Sequence, residues 1–138
     1  MVLRHTLDTN ICSYVLPRHP VEMVERLSRL EPDQLWLSAI VAAELRFGAL
    51  KLGSARFQGA VEAWLLGFML KPWPLEATHH YARMRSELER KGTPVGNLDL
   101  MIAAHALAED SVVITNNARE FHRIPGVAVE EWRLDAGL

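Results

Sequence analysis

Short apolar runs alternate along this chain with stretches of helical period, and no other feature of the sequence limits the fold as much. Residues 2–7, Leu35-Trp36-Leu37 and Val112-Val113-Ile114 read as buried strands, and the segments between them carry apolar residues at helical spacing. The order is strand, helix, helix, strand, helix, helix, strand or turn, helix, helix, strand, short helix, strand. That order predicts an α/β fold with a central, mostly parallel sheet. With 138 residues, 49% of them hydrophobic, the chain closes one sizeable core, and a single domain over 1–138 is expected.

After the first strand, Thr9 or Asn10 can cap a short helix carrying Ile11, Tyr14 and Val15. Pro20 suits the first position of a second helix, on which Val21, Val24, Leu27 and Leu30 form one apolar stripe. Ser38 caps a helix over 39–51. There Glu44 lies one turn from Ile40, Val41, Phe47 and Gly48, which predicts that it shares the buried face. A helix over about 55–70 carries Phe57, Val61, Trp64, Leu65 and Phe68. Its stretch from Trp64 to Leu70 is apolar nearly all round, either plain core or a face for another chain. Lys71–Pro74 is a strand end or turn. Residues 76–91 form a helix stopped by Gly92, and Asn97 caps a helix over 98–108 with Asp99 in its first turn, where the dipole favours a carboxylate. One helical turn over Ala118–Phe121 and a last strand from Val127 to Trp132 complete the chain.

Composition removes several classes of function. A net charge of −2 and a pI near 6.3 exclude a molecule coated in positive charge. Arg83, Arg85, Arg90 and Lys91 cluster, and Arg119 and Arg123 flank Phe121, as a local basic rim or as ordinary solvated helix faces. The single cysteine, Cys12, excludes an internal disulfide framework and fits a reducing, cytoplasmic setting. The longest uncharged apolar stretch is too short to span a membrane, so no membrane association is expected.

Three carboxylates sit in surroundings too apolar for a solvated face: Asp8, Glu44 and Asp99. Asp8 and Asn117 each follow a short strand, while Glu44 and Asp99 ride on helices that follow a strand or loop. A parallel sheet would bring these four positions to one edge. Singly, Asp8 also reads as a helix cap, Glu44 as the partner of a core arginine, and Asp99 as a group serving the helix dipole. Together they suggest a metal site, because acids buried side by side repel and resist ionisation unless a cation lies between them. Oxygen donors without a cysteine cluster or paired histidines point to Mg²⁺ or Mn²⁺. Such an ion keeps waters, a ready source of a nucleophile for a phosphodiester.

Other chemistries lack their residues. His79 and His80 point in different directions on a helix, His105 stands alone on an alanine-rich helix, and there is no H-E-x-x-H, G-x-S-x-G or Gly-rich phosphate loop. An aspartyl phosphotransferase built on Asp8 is the nearest rival enzyme, and it is weakened by Asn10 standing where a second acid would help.

The segments Leu7–Cys12, Ser38–Gly48 around Glu44, Arg90–Gly96 leading to Asp99–Ala106, Thr115–Phe121, Ile124–Gly126 and Glu131-Trp132 resemble a PIN domain, and more narrowly the VapC toxins of bacterial type II toxin–antitoxin pairs. The resemblance spans nearly the whole chain. It implies an α/β/α sandwich and a Mg²⁺-dependent endoribonuclease with Asp8, Glu44 and Asp99 at the acidic positions, Asp8 and Asp99 as metal ligands and Glu44 as holder of water or base. The family's fourth acidic position falls on Asn117, and Glu120 is a possible substitute. Thr9, Asn10 and Thr115 look like orienting groups around the acids or the substrate. The Arg90–Gly96 and Thr115–Asn117 segments resemble the branch that cuts initiator tRNA in the anticodon region, and a homodimer held by a VapB antitoxin is implied as well. Asn117 keeps a non-catalytic nucleic-acid-binding module open as an alternative, and a DNA nuclease would use the same metal site.

Overall fold

The computed structural model describes residues 4–133. Strand β1 (Arg4–Leu7) is followed by helices α1 (Thr9–Arg18) and α2 (Val21–Ser28), strand β2 (Leu35–Ser38), helices α3 (Ala39–Leu52) and α4 (Ala55–Leu66), and strand β3 (Met69–Lys71). Helices α5 (Ala77–Arg90) and α6 (Asn97–Ala108), strand β4 (Ser111–Thr115), the single turn α7 (Ala118–Phe121) and strand β5 (Val129–Glu131) complete the order. This is the alternation expected from the sequence. Positions 2 and 3 of the expected first strand lie outside the described residues.

The five strands form one sheet in the order β3-β2-β1-β4-β5, and every adjacent pair is parallel. Parallel crossovers are right-handed, so the leftward steps through α1 to α4 place those helices on one face, and the rightward step through α5 and α6 places these on the other. Side-chain alternation along β2 agrees. Trp36 meets His105 of α6 with ring centroids 4.4 Å apart, whereas Leu35 lines a groove with residues of α2 and α4. The result is an α/β/α sandwich. Leu7, Leu37, Val41, Met84, Leu100, Ile102 and Ile114 belong to its core.

Several local expectations are corrected. Asp8, and neither Thr9 nor Asn10, caps α1: its side chain accepts from the Ile11 N–H, because the chain turns into the helix one residue earlier. Pro20 stands just before α2 and not at its first position, and Gly96 precedes α6, which starts at Asn97 itself. On α2 the buried residue is Met23. Val21 is 72% exposed, Val24 lines a groove, and Leu27 and Leu30 line that groove while packing against the margin of the core. The apolar run ending at Leu70 is not one helix: α4 stops at Gly67, Phe68 folds back on Trp64 with ring centroids 5.0 Å apart, and Met69–Lys71 pair with β2 as an edge strand.

Candidate active site

The carboxyl ends of β1 and β4 lie side by side, Leu7 opposite Ile114, so the residues that follow each strand meet. Asp8 extends the pairing through its own N–H, which donates to the Ile114 carbonyl at 3.1 Å. Its carboxylate is 1% exposed and held at both oxygens: Oδ1 accepts from the Ile11 N–H at 2.9 Å, and Oδ2 from the Thr115 hydroxyl at 2.5 Å. Thr115 is fixed in turn, its oxygen accepting from the Asn117 N–H at 3.0 Å. Burial pushes Asp8 up to about 6 from an ordinary 3.8. The two hydrogen bonds oppose that rise, and the Glu44 charge adds to it.

Glu44 comes from α3. The buried stripe of that helix is Val41, Ala42, Leu45 and Ala49, and Glu44 lies half-buried on its flank, while Phe47 is 66% exposed. The expectation that Glu44 and Phe47 share the core face is therefore corrected. At 100° per residue the stripe passes beside Glu44, which reaches across the sheet edge, where Oε1 accepts from the Thr9 hydroxyl at 2.6 Å.

Asp99, in the first turn of α6, is half-buried and faces Glu120 of α7. Burial is the main cause that raises Asp99 to about 7, followed by the hydrogen bond it shares with Glu120, then by the charges of Asp8, Glu120 and Glu44. Four acids thus gather where the sequence placed three. Asn117 is exposed and, among the described residues, enters the network through its backbone N–H, and Asn10 is exposed as well. Glu120 was the less obvious candidate because it lies beyond the strand end. The one-turn helix α7 brings it back toward Asp99.

No three His, Cys, Asp or Glu side chains among the described residues close around one point as a full protein cage would. Mg²⁺ does not require one. It keeps several waters and is commonly held by one or two carboxylates. The donor set is all oxygen, and two of its acids are driven toward the neutral form by burial and by neighbouring acids, which is the condition a hard divalent cation relieves. The residues therefore fit Mg²⁺ or Mn²⁺.

The basic residues Arg83, Arg85 and Lys91 of α5 and its end are engaged within that helix. Arg85 pairs with Glu89 and donates to Tyr81, Lys91 pairs with Glu87, and Arg83 meets His80. Among the described residues Arg119 and Arg123, on either side of Glu120 and Phe121, form no ion pair. Away from these acids, α2 and α4 bound an open apolar groove of about 600 Å³, lined by Val24, Leu27, Leu30, Leu35, Trp64 and Phe68 among others.

Comparison with known proteins matches residues 6–127 to the PIN domain. The tRNA(fMet)-specific endonuclease VapC of Salmonella typhimurium is 40% identical over 132 residues, covering 95% of this chain and 99% of the relative. The crystal structure of DNA-bound VapBC from Salmonella typhimurium superposes with a TM-score of 0.89 at 40% identity, over 95% of this chain and 99% of that one. That of VapBC2 from Rickettsia felis, bound to a DNA fragment from its promoter, gives 0.87 at 36% identity, over 94% and 99%.

Proposed function

The chain belongs to the PIN-domain family, and from that premise we propose that it is a VapC-type endoribonuclease toxin, cutting tRNA with the help of Mg²⁺ or Mn²⁺ and restrained by a VapB antitoxin. The observation that carries this reading is the gathering of Asp8, Glu44, Asp99 and Glu120 at one sheet edge, with Asp8 and Asp99 raised toward neutrality. A binding module has no use for such an arrangement, which costs stability. Glu120, beside Asp99, supports a fourth acid at the edge where Asn117 carries no charge.

Asp8 and Asp99 would hold the cation, with Glu44 beside them. When bound, the cation supplies charge stabilisation at the phosphate and eases deprotonation of the attacking water. The protein's own groups prepare the site. The Ile11 N–H and the Thr115 hydroxyl fix both oxygens of Asp8, so its orientation does not change when substrate arrives. Thr9 takes one oxygen of Glu44 and leaves the other to accept the water's proton. Glu120 shares a hydrogen bond with Asp99 and so holds its carboxyl in place at the edge. In-line attack then leaves a 5′-phosphate and a 3′-hydroxyl.

Initiator tRNA, cut in the anticodon region, is the substrate proposed from the likeness to the Salmonella typhimurium endonuclease. Arg119 and Arg123, exposed on either side of Glu120 in the chain, would meet phosphates next to the acids. The groove between α2 and α4 takes the apolar segment of the antitoxin, as the VapBC likeness supports, and a toxin homodimer is part of the same reading.

Incubating antitoxin-free protein with total tRNA, in Mg²⁺ and in EDTA, beside Asp8→Asn tests the activity. Discrete ends that need both metal and Asp8 are expected. Intact tRNA, ribosomal RNA and single-stranded DNA in every lane would return the protein to the binding-module reading.

A further inference from the structure

Helix α6 carries Asp99 at its start and, less than two turns later, a fully buried histidine. His105 does not stand alone. Its Nδ1 lies 2.9 Å from the hydroxyl oxygen of Ser38, 67 positions earlier in the chain. Ser38 ends β2 and caps α3, accepting from the Ile40 N–H at 3.1 Å, and α3 is the helix that carries Glu44. One contact therefore joins the helix of Asp99 to the first turn of the helix of Glu44.

The proton positions in this contact follow from donor and acceptor accounting. Ser38 has one proton and is itself fully buried, and its oxygen already accepts from Ile40. If Nδ1 were protonated, Ser38 would receive two protons and its own would find no acceptor among the described residues. A bare Nδ1 accepts the Ser38 proton and leaves the ring's hydrogen on Nε2. That nitrogen has no hydrogen-bond partner among the described residues, and the Glu109 carboxylate lies 4.0 Å from it, which favours N–H there over a lone pair. Glu109 is held by Lys71 of the edge strand at 2.9 Å, and the Trp36 ring packs against the imidazole. Burial lowers the imidazole to about 4, so it stays neutral near pH 7.

We propose that His105 is a positioning residue: as the Nε2–H tautomer it accepts the Ser38 hydroxyl proton, and this bond sets α6 against the N-terminus of α3 so that Asp99 and Glu44 meet at the same edge. The activity arm of its test rests on the ribonuclease reading; the tautomer arm does not.

The first arm is long-range ¹H–¹⁵N NMR of the imidazole. The neutral Nε2–H form is expected, with the Nδ1 signal of an accepting nitrogen that shifts in Ser38→Ala. A proton on Nδ1 overturns the proposal whether or not the protein cleaves RNA. The second arm compares tRNA cleavage and melting temperature for wild type, Ser38→Ala, His105→Phe and His105→Asn. Asparagine can place an oxygen where Nδ1 was, and phenylalanine fills the volume without an acceptor. A positioning role predicts that His105→Phe and Ser38→Ala each lower kcat about ten- to a hundredfold with KM within about twofold, while His105→Asn recovers most of kcat despite melting lower than His105→Phe. The double variant Ser38→Ala/His105→Phe falls little further than either single one. If activity instead follows melting temperature, with phenylalanine above asparagine, His105 is core packing only and the proposal is wrong. Cleavage missing from the wild type, with the tautomer as expected, counts against the ribonuclease reading and not against the Ser38–His105 bond.

Discussion

Asp8 and Asp99 bind their protons more tightly in the folded chain than a free aspartate does, and the sign of the consequence is fixed by that. A raised carboxyl pKa leaves the fold unaffected below about pH 4 and costs it stability as pH climbs to about 6 for Asp8 and about 7 for Asp99. In EDTA, the stability of wild type relative to Asp8→Asn should fall by about 1–2 kcal/mol between pH 5 and pH 7.5, and Mg²⁺ should restore it at the higher pH only. Urea titrations at the two pH values measure the difference. Asp99→Asn should lose at least about a hundredfold in cleavage while melting no lower than wild type at pH 7.5, since it removes a charge that its neighbours oppose. Retained cleavage by the folded variant would remove Asp99 from the metal role. Asp8, Glu44 and Asp99 were legible in the sequence because an isolated acid inside an apolar segment has few plain uses. Glu120 was harder to see, since it depends on a single turn of helix whose direction no spacing reveals. The Ser38–His105 bond was invisible, being a meeting of two residues from different crossovers.

Each helix that serves the edge is shaped by its ends, and the elements misread from the sequence are those whose apolar period outlasts their backbone. Phe57 to Phe68 keeps a helical rhythm past Leu66, but Gly67 ends α4 and frees Met69–Lys71 for pairing with β2. Likewise the stripe of α2 is real but lines the groove, with Leu27 and Leu30 at the margin of the core. Val24, 43% exposed, lines that groove. Phe68→Asp should weaken antitoxin binding by at least tenfold in a titration and leave tRNA cleavage by the free toxin within about twofold of wild type. An unchanged antitoxin affinity would move the docking site elsewhere. On α7 and its end, Arg119→Ala with Arg123→Ala should raise KM for tRNA about ten- to a hundredfold with little change in kcat, as expected of groups that hold phosphates and touch no reacting atom.

At the scale of the whole molecule, a net charge of −2 leaves little long-range attraction for RNA, so substrate must be held by a few local cations. The logarithm of kcat/KM should therefore fall with the logarithm of salt concentration at a slope shallower than about −3, the behaviour of a site making few phosphate contacts. A steeper slope would reveal a wider basic surface. The element order and the parallel sheet were readable from the alternation of periods, because short buried strands separated by helices admit few other arrangements. The strand order across the sheet was not, since it depends on which crossover turns back. That turn has a consequence in time. β1 lies between β2 and β4, and Asp8 waits for a hydroxyl that stands 107 positions later in the chain. During synthesis the first carboxylate leaves the ribosome long before Thr115 and Glu120 exist, and a fragment ending short of β4 has the central strand open on one side and no assembled edge. The acidic edge therefore cannot assemble until synthesis has passed Thr115 and Glu120, and a chain abandoned before that point carries Asp8 and Glu44 without these partners.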